Sequence, residues 1–209
     1  VYALVEFLHV LAAMGIFAAA ALEWSTLGRL RRAESIEQAR AAAAGTRASR
    51  AIDGLSMGVV FIAGMYLSGT AWGIRTPWVA VALASFILLG AIGGVVTGRR
   101  MTILGKQLAA SHDALSPELR ARLRDPFLIA SFRIRIALLA AIVFQMVAKP
   151  QWTIALTSAG ASIALGILAS IPAWRAASTA VAAPGVLERP PPQTQPYTST
   201  AARTGRHTS

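Results

Sequence analysis

The sequence predicts an all-α fold: a polytopic transmembrane helix bundle with five spanning helices and short cytoplasmic amphipathic helices. Three observations lead there. Of the 209 residues, 55% are hydrophobic and only 14% charged, against about 25% charged in ordinary soluble domains. Five stretches approach or meet the 20 or so mostly apolar residues that a helix needs to cross about 30 Å of hydrocarbon. The 20 lysines and arginines gather between those stretches in a pattern that alternates from one side to the other.

The apolar stretches are residues 2–22, 54–72, 79–98, 128–148 and 152–171. The first lacks a basic flank and a cleavage site, so it reads as a retained helix rather than a signal peptide. Val1 fits removal of an initiator methionine. The second, third and fifth contain no Asp, Glu, Lys, Arg or His. The fourth carries Arg133 and Arg135 in its first half, behind an Asp125-Pro126 helix start. Both arginines are expected to snorkel back to the cytoplasmic surface as interface anchors.

Orientation follows from counting cations. Eighteen of them fall in segments 23–53 and 99–135 and in the tail, whereas the two opposite connections hold just Arg75 and Lys149. The positive-inside rule then places the N-terminus outside and the C-terminus in the cytoplasm, in a bacterial inner membrane or its intracytoplasmic extension. Trp72, Trp78 and Trp152 are expected to anchor the outer boundary, and Trp24 and Trp174 the inner one. A charge of +11 with cations bordering the membrane and no interleaved aromatics points to anionic lipid headgroups and away from nucleic acid.

The cytoplasmic connections read as helical. Residues 31–44 are rich in good helix formers and Gly45 is expected to end the run. Ser116, Pro117 and Glu118 start a short helix with Leu115, Leu119 and Leu123 on one face. Such pieces lie on the membrane surface or cover helix ends. From 176 to 209 the chain turns rich in Pro, Thr and Ser, with Pro190, Pro191 and Pro192 in a row, as in an extended or disordered tail outside the 1–175 membrane domain.

Lipid supplies no hydrophobic drive between helices, so close packing depends on small residues. Gly90, Gly94 and Gly98 form a ladder on the third span. Ser158, Ser162, Gly166 and Ser170 form another on the fifth, and Gly54 with Gly58 a third on the second. These stripes join helices of one monomer or face the helices of another subunit; spacing alone does not separate the two.

Few groups inside the spans carry chemistry. Glu6 and His9, three apart, share a face of the first helix; a neutral imidazole suits haem iron, chlorophyll magnesium, copper or zinc, with Glu6 orienting it. The alternative is a packing histidine. Met14, Met57, Met65 and Met146 suit soft copper but also serve as gap fillers. Gln145 reads as an interhelical hydrogen bond, and His112 with Asp113 and Glu118 as a solvated turn. Without cysteine there is no disulfide, thiolate site or cysteine nucleophile. No phosphate loop, nucleophile elbow or metalloprotease motif is present either.

Three local patterns carry a resemblance: residues 7–13 (FLHVLAA) with Gly15, the turn from Trp72 to Pro77 and Trp78, and residues 143–150 (VFQMVAKP). Together they make most of residues 1–150 similar to a bacterial integral-membrane family of unknown function in the copper-resistance-D-like group. That group includes a membrane protoporphyrinogen oxidase whose first-helix histidine is linked to haem, so the resemblance implies a haem or copper role for His9. Members commonly carry tryptophan just before the first-helix glycine, whereas Met14 precedes Gly15 here.

Two functions follow as expectations. One is a non-catalytic accessory subunit packed against a larger photosynthetic or respiratory membrane complex. The other is a tetrapyrrole-binding or copper-handling protein using His9, with a haem-linked oxidase as its enzymatic form. A solute transporter is disfavoured, because no discontinuous helix or inverted repeat supplies a midplane site.

Overall fold

A computed structural model describes residues 1–111 and 115–181, with side chains to residue 175. The predicted tail, and His112 and Asp113 of the predicted solvated turn, therefore lie outside the described residues, apart from the helical backbone through Val181. Within them every regular element is helical: α1 (Tyr2–Arg32), α2 (Ile36–Leu67), α3 (Pro77–Ala91), α4 (Arg99–Ala110), α5 (Pro117–Leu123), α6 (Pro126–Ala148) and α7 (Trp152–Val181). Five continuous helical runs are long and apolar enough to cross a membrane.

The helices overshoot the apolar stretches. α1 has 31 residues, about 46 Å at 1.5 Å per residue, so it extends well beyond the hydrocarbon. It ends at Ala33, and α2 restarts at once behind the Ser35 cap: the Ser35 hydroxyl accepts from the Gln38 N–H at 3.2 Å, while the Gln38 side chain accepts from the Glu34 N–H at 3.0 Å. This reciprocal cap folds α1 and α2 into a tight antiparallel hairpin. Gly45 does not end a helix as the sequence suggested. It lies inside α2 where α1 crosses closely, a Cβ there coming within 3.3 Å of Thr26 Oγ1, so its smallness serves packing rather than termination.

α2 loosens into a π-helical turn, Ser68–Trp72, and stops at Gly73, whose φ of +81° favours glycine. Pro77 then opens α3. The third span does not stop at Gly98 either. It passes through a π-helical segment, Ile92–Gly98, straight into α4. α6 starts where predicted, with Asp125 accepting from the Phe127 N–H at 2.9 Å, and ends on Lys149 in the left-handed region at φ 48°.

The extensions build a second layer. Leu30 of α1, Ile36, Ala39 and Ala42 of α2, and Leu104 and Leu108 of α4 pack with Leu115, Leu119 and Leu123 into a core of their own. The leucine face of α5 thus covers helix ends rather than lying flat on lipid. Between the spans a separate core joins Ile16, Leu89, Leu138 and Leu139.

The small-residue stripes divide. On α7, Ser162, Gly166 and Ser170 are buried, and a Cβ at Gly166 would fall 2.7 Å from Ile134 Cα on α6. Gly90 abuts Met57 on α2, and Gly98 lies beside Arg50. Gly54, Gly58 and Gly94 face outward, and a Cβ added at any of them would meet nothing within 4 Å. The Gly166→Val variant should therefore lose about 2 kcal/mol of stability by overpacking, seen as a lower thermal midpoint in detergent. Gly160→Val, at an open position on the same helix, should leave the midpoint within about 1 °C or 2 °C; equal losses would mean that α6 and α7 are not in close contact.

Candidate functional site

Near the end of the bundle that carries few cations, α1, α2, α3 and α6 diverge around a cavity of about 270 Å³. Its wall is apolar except for His9 and Ser68. Exposed wall residues such as Val10, Met14 and Val147 show that it opens sideways toward lipid. The His9 ring packs edge-on against α2: a Cβ at Gly64 would come 3.1 Å from Cε1 and 3.5 Å from Nδ1, and the Val60 backbone carbonyl borders the ring. Nδ1 is buried yet makes no aligned hydrogen bond. A glycine at 64 is what lets the ring sit this deep.

Of the four methionines considered for copper, Met14, Met65 and Met146 line this cavity with His9, whereas Met57 packs into the inter-span core. Glu6 is exposed and is not part of the wall, so the fold does not bring it into the orienting role that their shared face suggested. Among the described residues no three His, Cys, Asp or Glu side chains gather to hold a metal. Gln145, fully buried, donates to the Ala155 carbonyl of α7 at 3.5 Å.

About 21 Å further along α1, at 1.5 Å per residue, lies a cluster that sequence reasoning missed. Arg135 does not snorkel to the surface: its side chain is 9% exposed and reaches inward to Glu23 of α1 at 2.7 Å and Asp53 of α2 at 3.3 Å. The physical reason is the opposite charge on two neighbouring helices, which neutralises a guanidinium that lipid cannot, although its Nε is left without a hydrogen-bond partner. The π-helical segment makes room, since a Cβ at Gly93 would stand 3.1 Å from Arg135 Cζ. Nearby, the hydroxyls of Thr97 and Ser131 pair at 3.0 Å. A small cavity of about 40 Å³ is lined by Glu23, Asp53, Thr97 and Arg135 together with Thr46, Ser49 and Arg50, large enough for a water molecule. Glu23 and Asp53 stand at the borders of apolar stretches, and an acid on each of two spans facing an arginine on a third was the available signal.

Arg133 points away, donating to the Ala169 carbonyl of α7. The tryptophans also separate. Trp24 stacks on Phe132 at 5.0 Å, and Trp174 meets Phe127 edge-on at 4.4 Å. At the other end Trp72 meets Trp78 at 5.5 Å, with Lys149 Nζ 4.2 Å from the Trp72 ring centre. Trp78 is buried rather than lipid-facing; Trp152 is exposed.

Removing the guanidinium leaves two carboxylates facing one another. Arg135→Leu should cost about 3 kcal/mol, and Arg133→Leu less than about 1 kcal/mol. Thermal unfolding of the two variants in detergent compares them directly; a similar small loss in both would show that the buried network contributes nothing.

Residues 3–150 match a family described as a predicted integral membrane protein (DUF2269). No curated protein and no solved structure matches the chain.

Proposed function

The chain belongs to the DUF2269 family of integral membrane proteins, and from that premise we propose a non-catalytic, five-span protein of the bacterial cytoplasmic membrane that holds a lipophilic, tetrapyrrole-class ligand beside His9. The observation that carries this reading is a membrane-open apolar cavity whose main polar group is an imidazole with Nδ1 turned into α2. With Nδ1 so placed, Nε2 is the nitrogen left to meet a ligand.

The wall chemistry narrows the ligand. Thioethers of Met14, Met65 and Met146 and the rings of Phe17, Phe61 and Phe86 offer soft, polarizable contacts. No cation in the wall meets an acidic substituent. A macrocycle with apolar substituents, extending through the lateral opening into lipid, suits this better than one bearing free carboxylates. The copper-resistance-D-like resemblance of the first helix supports the same residue, and the 18-to-2 cation asymmetry supports an outer N-terminus.

Protein purified in mild detergent should show a visible absorption band, which the His9→Ala variant loses or shifts while keeping its helical content. Colourless, ligand-free protein in both preparations would end this reading.

The accessory-subunit reading is favoured by a different observation: Gly54 and Gly58 open a strip of α2 with nothing against it. A neighbouring photosynthetic or respiratory subunit would press a helix there, backbone to backbone. Mild-detergent purification should then recover a larger membrane complex, and Gly58→Leu should release the chain from it without altering its own melting behaviour. Recovery as a lone monomer from native membranes would count against an accessory role.

A further inference from the structure

At the cation-rich end α2 and α4 enclose a second, different hollow of about 620 Å³. Its floor is small or apolar: Ala43, Ala44, Gly105 and Ala109. Its rim is cationic. Arg40, Arg47 and Arg50 recur at helical spacing along one face of α2, over about 15 Å at 1.5 Å per residue, and Lys106 stands on α4 opposite. Among the described residues no acidic side chain lines it.

Two of the four cations are held in place by backbone. Arg40 donates to the Leu108 carbonyl at 2.9 Å and also to Ser111, closing the C-terminus of α4. Arg50 donates to the Gly98 carbonyl at 2.5 Å and to Thr102 Oγ1 at 3.2 Å. These bonds neutralise no charge. Among the described residues Arg47 and Lys106 form neither an ion pair nor a side-chain hydrogen bond. Four positive groups are thus gathered around one hollow. Glu37, one turn before Arg40 on α2, offsets part of that cation's charge from outside the lining, and the repulsion left among the four is what an anion in the hollow relieves.

We infer that this groove binds a phosphate group, gripped by Arg47 and Lys106 between the anchored Arg40 and Arg50. The chemistry is shared by two sources. Arg50 sits where the apolar part of the span gives way to the charged hairpin, within reach of an anionic phospholipid headgroup. The open side equally admits the phosphates of a soluble nucleotide. Stacking aromatics are missing from the lining, which disfavours a nucleic-acid strand.

The test uses the full chain in micelles of an uncharged detergent, titrated separately with short-chain phosphatidylglycerol, inorganic phosphate and ADP, and read as a shift in thermal midpoint. At least one phosphate compound should raise the midpoint of the natural protein. The Arg47→Gln/Lys106→Gln pair should weaken that response about tenfold or more in ligand concentration. The Arg32→Gln/Arg120→Gln pair, which removes the same charge from exposed positions outside the groove, should leave it intact. A response to phosphatidylglycerol alone identifies a headgroup site, and a response to ADP or phosphate alone a soluble-anion site. No response in the natural protein, or equal weakening in both double variants, overturns the inference.

Discussion

The Arg135 guanidinium joins two halves of the bundle that apolar contact alone would not hold in register. α1 and α2 form one half as a hairpin, and α6 with α7 the other as a close-packed pair built on Gly166. Between apolar helix faces in lipid, sliding costs little, because hydrocarbon contacts look alike at every level. A cation that must meet Glu23 and Asp53 at once has one satisfactory position. Replacing such a network by apolar residues can leave a protein equally stable, so its distinctive contribution is register rather than raw stability. The π-helical opening at Gly93 fits the same logic: the third span gives up regular hydrogen bonding where a guanidinium must pass.

The spans were legible because lipid imposes a simple demand on sequence, a long run without charge, and residues 54–72, 79–98 and 152–171 meet it plainly. Helix starts were legible too, since Ser116 and Asp125 cap through their own side chains, a local chemistry. Legibility ended where a residue answers to something distant in sequence. Gly45 looks like a helix end until α1 is laid beside it. Arg135 looks like a headgroup anchor until acids 112 and 82 residues away are brought to it. The gathering of Met14, Met65 and Met146 around His9 depends on three helices, and no spacing in one helix announces it. The basic groove was hidden for the same reason: the alanines and glycine that make it hollow are unremarkable in either helix alone.

The bundle is consequently two-ended in its chemistry. One end offers a dry, polarizable hollow with a single imidazole. The other offers a rim of positive charge around a hollow floored by small side chains. The charged cluster of α1, α2 and α6 lies between them, on the same long hairpin that contributes to both. Gly64 behind His9 and Arg40 over the end of α4 belong to one uninterrupted helix.

The core that caps the cation-rich end has a consequence for how the chain is made. Its apolar side chains come from residues 30–42 and from residues 104–123, with the whole of the second and third apolar stretches between them. When the first hairpin has been inserted, Leu30, Ile36, Ala39 and Ala42 still lack Leu104 and Leu108. The apolar side of the hairpin therefore lacks its cover through that interval of synthesis, and burial of the cap is complete only when the segment bearing Leu115, Leu119 and Leu123 has followed the third span.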